Sequence, residues 1–103
     1  MSITVIIEAN VKDFEKWLTL FNELEAQRQE AGINFKAFKN HSKPETSFVI
    51  GTAPSKQVFF EFFNSPERLS IQQSVILEQP KITFLELFLV LSFDSLANGL
   101  KFG

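Results

Sequence analysis

Apolar and polar residues alternate at the start of the chain. Ile3, Val5 and Ile7 interleave with Thr4, Ile6 and Glu8, which predicts a strand over Ile3–Ala9. Ile6 makes the second side partly apolar, so neither face is expected to be fully wet. From Phe14 the period changes. Phe14, Trp17, Leu18, Phe21, Leu24 and Arg28 recur at helical spacing and predict an amphipathic helix. Asn10 is placed to cap it, Asp13 favours its positive end, and Gly32 supplies the residue that ends it. Period two returns over Ile33–His41 and Ser47–Thr52. The turn chemistry of Ser42–Thr46 between these segments predicts an antiparallel hairpin.

The second half carries denser apolar runs. Pro54 suits a first helical turn. Val58, Phe59, Phe60, Phe62 and Phe63 then cover an arc of about 200° on a helical wheel, wider than the ordinary stripe. Asn64-Ser65-Pro66 breaks this helix and starts a shorter one through about Val75, and Pro80 closes the connection. A last strand is expected over Ile82–Ser92. Thr83, Leu85, Leu87, Leu89 and Leu91 line one side, and Ile82, Phe84, Glu86, Phe88 and Val90 the other. A strand apolar on both sides is buried on both. Residues 93–103 read as a tail, with a helical turn around Leu96–Leu100.

The order is β-α-β-β-α-β in a single domain spanning 1–103, an α+β, ferredoxin-like arrangement. It predicts a four-stranded antiparallel sheet with helices on one face. The other sheet face then needs cover, and a second copy of the chain is the expected source, giving a homodimer.

Composition narrows the function classes. Phenylalanine stands at 13 residues with one Trp and no Tyr, so the expected core is large, dry and almost free of aromatic polar groups. The net charge is −2 with scattered Lys and Arg, which lacks the basic stripe that nucleic acid requires. Without cysteine there is no disulfide, thiolate chemistry or Cys metal site. No basic n-region or cleavage motif precedes the first strand, and Leu87–Phe93 falls far short of the ~20 residues of a membrane helix. The expectation is a cytoplasmic protein with no membrane or nucleic-acid partner.

Two patches carry a family resemblance. One is Val11-Lys12-Asp13 followed by Trp17, Phe21, Arg28 and Gly32. The other is Asn64-Ser65-Pro66-Glu67 followed by Pro80–Glu86. Over about Ile3 to Glu86 the chain resembles the dimeric α+β barrel superfamily, the ferredoxin-like group of antibiotic-biosynthesis-monooxygenase-like and stress-responsive barrel proteins. The resemblance implies a barrel-like homodimer, first and last strands that are neighbours, and a ligand site between sheet and helices. Haem-degrading members use a helical histidine with a nearby Asn and Trp. Here the sole histidine, His41, sits at a strand end, Trp17 belongs to the first helix, and the first strand carries no His. The haem role is not transferred, and neither cofactor nor metal is expected.

The remaining candidates are few. Glu8 and Glu86 lie in apolar strands, where desolvation raises a carboxyl pKa and suits it to proton transfer. A wet strand end, or a salt bridge to Lys36 or Lys39, explains them as well. His41 is a candidate base, with no carboxylate nearby in sequence to orient it. Trp17, Phe59, Phe60 and Phe63 are the candidate walls of an apolar cleft, and core packing accounts for the same spacing. Glu25 and Arg28 read as a helix-surface pair with no function assigned. The expected function is a non-catalytic or small-apolar-ligand-binding dimeric barrel. The alternative is a cofactor-free monooxygenase or isomerase acting on an aromatic or polyketide-like substrate.

Overall fold

The computed structural model describes residues 2–86. Four strands, β1 (Ile3–Asn10), β2 (Asn34–Lys39), β3 (Thr46–Ala53) and β4 (Lys81–Leu85), form one antiparallel sheet in the order β2-β3-β1-β4. The helices are α1 (Phe14–Glu23), α2 (Glu25–Glu30), α3 (Lys56–Phe63) and α4 (Pro66–Val75). This is the expected ferredoxin-like α+β order, with each helical segment divided in two. Leu87–Ser92 of the expected last strand and the tail 93–103 lie outside the described residues.

Several boundaries differ from the sequence reading, each for a local reason. Asn10 does not cap α1, because β1 continues through it opposite Thr46. Asp13 is the cap: its backbone is extended and its carboxylate accepts from the Lys16 N–H at 3.1 Å. The first helix breaks at Leu24, whose φ of −94° and ψ of 5° depart from helical values. Ser55 rather than Pro54 opens α3, its hydroxyl accepting from the Val58 N–H at 3.1 Å. Ser65 caps α4 ahead of Pro66, as the sequence suggests. Gly32 turns the chain out of α2 with a φ of 76°, the left-handed geometry that a side chain disfavours.

Register divides the sheet into two unlike faces. Val5, Gly51, Phe35 and Phe84 pair across it, as do Ile7, Val49, Ala37 and Ile82. This face meets the helices, where Val5, Ile7, Ala9, Phe35 and Val49 pack with Trp17, Phe59, Phe63, Val75 and Ile76. Phe59 is the hub, with its ring centroid 5.2 Å from Phe63, 5.6 Å from Phe84 and 6.1 Å from Phe35. Among the described residues no helix covers the opposite face. There Ile6 lies between Ile50 and Thr83, Phe38 pairs with Phe48, and Leu85 pairs with Thr4. Phe38 is 47% exposed, Ile50 38% and Leu85 43%.

Candidate functional site

The break in the first helix creates the site. A helix that stops at Glu23 leaves its last carbonyls without i+4 partners. Arg28 reaches back from α2 and donates Nη2–H to the Phe21 carbonyl at 2.7 Å. The same guanidinium donates through Nη2 and Nε to Glu25 Oε1 at 3.0 and 3.3 Å, and it stacks over the Phe21 ring at 3.7 Å. The expected surface pair is therefore half wrong. Glu25 is 47% exposed, but Arg28 is only 2% exposed and faces inward. Burial lowers its pKa, and the hydrogen bond and charge of Glu25 oppose that shift.

A second cation enters from α4. Arg68 lies over the Phe63 ring at 3.7 Å and donates Nη1–H to the Gln72 side-chain oxygen. Desolvation pushes its pKa down to about 10, so it remains charged at neutral pH. Among the described residues no carboxylate pairs with it.

Both arginines line a cleft over the sheet that encloses about 50 Å³. Ile7, Ala9, Phe35 and Val49 form its floor, and Trp17, Phe21, Phe62, Phe63 and Ile71 its helical walls. Its polar residues are Arg28, Arg68 and Ser47. The Ser47 hydroxyl donates to the Ala9 carbonyl at 3.2 Å. About 50 Å³ has room for roughly four water-sized groups. That volume suits a very small molecule or the leading end of a larger one.

The candidates from the sequence distribute unevenly. Trp17 and Phe63 line the cleft, with Trp17 stacked against Phe21 at 5.3 Å. Phe59 is fully buried in the core and is not a lining residue. Phe60 packs on the Phe84 ring at 5.7 Å and is 39% exposed. Glu8 sits on the open sheet face opposite Lys81, in a polar hollow with Asn10, Asn40 and Glu45. His41 and Glu86 are exposed, at the hairpin end and after β4 respectively. None of these three titratable residues reaches the cleft. Lys39, offered as a partner for Glu8 or Glu86, pairs with Glu15 at 3.6 Å instead. No cluster of three His, Cys, Asp or Glu side chains that could hold a metal occurs among the described residues. No helix among them is long and apolar enough to cross a membrane.

The sequence offered neither arginine as a site residue: Arg28 read as half of a surface pair, and Arg68 was passed over. Arg28 falls on the apolar stripe of the first helix, and Arg68 shares a face with Ile71 and Val75. A charge in register with an apolar stripe is the signal that could have found them.

The architecture recurs among solved structures. A protein described as an antibiotic biosynthesis monooxygenase superposes with a TM-score of 0.68 at 12% identity, over 84% of this chain and 99% of that one. A conserved protein from Methanosarcina mazei Go1 gives a TM-score of 0.70 at 13% identity, over 85% of this chain and 94% of its own. A Mycobacterium tuberculosis protein gives 0.67 at 10% identity, over 87% and 98%. The chain thus has the ferredoxin-like α+β fold of antibiotic-biosynthesis-monooxygenase-like proteins. Identities this low establish the fold alone. No protein-family profile matches the sequence, and no curated protein does.

Proposed function

We propose that the chain is a small-molecule-binding protein that holds a compact, largely apolar ligand in the cleft between sheet and helices, and that it acts as a homodimer. The observation that carries the ligand reading is the aromatic cleft itself, with Trp17 and Phe63 in its walls. Apolar clefts with a few convergent polar groups are the usual form of small-ligand sites. Support for the dimer comes from Ile6, Phe38, Phe48, Ile50 and Leu85 on a sheet face that no helix among the described residues covers. Non-catalytic binding is favoured because no carboxylate or imidazole lines the cleft among the described residues.

Trp17 is the only tryptophan, so its emission reports this site alone. Phenol, a small neutral aromatic, should shift the Trp17 emission saturably, with one equivalent per chain. Unsaturable shifts that persist in Phe63→Lys would contradict the reading. A second reading, a cofactor-free monooxygenase for an aromatic or polyketide-like substrate, draws on the fold shared with the protein described as an antibiotic biosynthesis monooxygenase. It requires oxygen consumption with a phenolic substrate and a loss of rate in a cleft variant. Equal rates in Phe63→Lys would refute it.

A further inference from the structure

The two cleft arginines are not equivalent, and the difference defines a ligand class. Arg28 is neutralised in place: Glu25 accepts two of its donors and the Phe21 carbonyl a third. Glu25 is itself engaged, its other oxygen accepting from Gln29 at 3.1 Å. Arg68 has no such counter-charge among the described residues. Of the five N–H donors of a guanidinium, one goes to the Gln72 amide oxygen. The Phe63 ring covers one face of the group at 3.7 Å. The other wall residues are apolar, except Ser47, whose hydroxyl proton is committed to the Ala9 carbonyl. Among the described residues the cleft therefore carries one surplus positive charge, on a half-buried guanidinium with unsaturated donors in a planar fork.

We propose that the cleft selects a short-chain organic carboxylate, with its carboxylate on the Arg68 guanidinium and its carbons against Trp17, Phe63 and Ile71. This inference rests on the cleft being the ligand site. Bidentate pairing of a carboxylate with a guanidinium matches the fork geometry, and low local polarity strengthens it. Size agrees: about 50 Å³ accommodates a carboxylate and a few carbons, and a longer tail would project through the mouth. Phosphate, with a higher charge and no apolar part, gains nothing from these walls.

The test compares butyrate with butyramide, which has nearly the same shape without the charge, on the full chain. The Trp17 indole N–H resonance is the readout. Butyrate should bind at least tenfold more tightly than butyramide, and Arg68→Met should bring the two within twofold of each other. Arg68→Gln serves the same purpose if the Met variant misfolds. Equal affinities in the native protein would overturn the carboxylate assignment while leaving the cleft as a ligand site. Inorganic phosphate binding more tightly than butyrate would also overturn it. Binding of neither compound would sink the cleft as a ligand site, and this inference with it.

Discussion

Gly51→Ala should be one of the most damaging single-methyl changes in this protein. Gly51 sits in the middle of β3, on the helix-facing side, between Val5 of β1 and Phe35 of β2. A Cβ there would overlap the Asn34 carbonyl oxygen and lie 2.8 Å from both Cα and Cδ1 of Phe35. Ordinary contacts begin near 3.4 Å, so β2 must retreat by more than half an ångström. Two of the three obstructing atoms are backbone, so no rotamer change relieves the clash. Forced overpacking costs typically 1–3 kcal/mol, and a displaced strand puts this case at about 3 kcal/mol or more. With a urea m-value of about 1.5 kcal/mol/M for a small domain, the unfolding midpoint should fall by roughly 2 M. Phe35 is also part of the cleft floor, so the Trp17 emission of the folded variant should shift. A destabilisation below about 0.5 kcal/mol, or an unchanged Trp17 emission in the folded variant, would refute the strand register from which the clash is argued.

Other perturbations follow from the same geometry. Asp13→Ala removes the carboxylate that accepts from Lys16 and should cost about 1 kcal/mol by thermal unfolding, with Asp13→Ser restoring most of it. Ile50→Asp, on the sheet face that no helix among the described residues covers, should convert the proposed dimer to monomer by light scattering, since burying such a side chain is worth about 1.5–3 kcal/mol on each copy. Lys43→Asp in the hairpin turn should leave the mass unchanged. Phe88, a further candidate for the same test, lies outside the described residues. Arg68→Met should alter stability at pH 7 by no more than about 1 kcal/mol. The folded-state pKa of about 10 lies below the ordinary guanidinium value, so burial penalises the charged form below pH 10, and that penalty is relieved only as pH rises above it. Removing that penalty is offset by loss of the Phe63 stack and the Gln72 bond. Arg28→Met, which leaves the Phe21 carbonyl only its Leu24 N–H donor and removes the Glu25 ion pair, should instead cost about 1–2 kcal/mol.

The sheet was legible in the sequence because its period is strict. Ile3, Val5 and Ile7 alternate, and their partners Ala53, Gly51 and Val49 do the same. Two helix boundaries were legible, the stop at Gly32 and the hydroxyl cap at Ser65, whereas Pro54 drew attention away from the Ser55 cap beside it. The break at Leu24 was not, because Leu24 and Glu25 are good helix formers and the interruption is held by Arg28 from four residues further on. Arg28 itself was misread because an i,i+3 carboxylate is also the mark of a solvated pair. The Phe cluster shows another limit. Phe59, Phe60, Phe62 and Phe63 share one apolar arc, and periodicity cannot tell which of them line a cleft. Packing separates them: Phe59 turns into the core, Phe60 packs against Phe84, and Phe62 and Phe63 reach the cleft.

The proposed ligand site lies between sheet and helices, not on the open sheet face. Amide and side-chain resonance mapping of the full chain, titrated with butyrate, separates the two faces. Saturable shifts should cluster at Trp17, Val49, Phe63 and Arg68, with Phe38, Ile50 and Thr83 unmoved. Shifts confined to Phe38, Ile50 and Thr83 would put the site on the opposite face and contradict it.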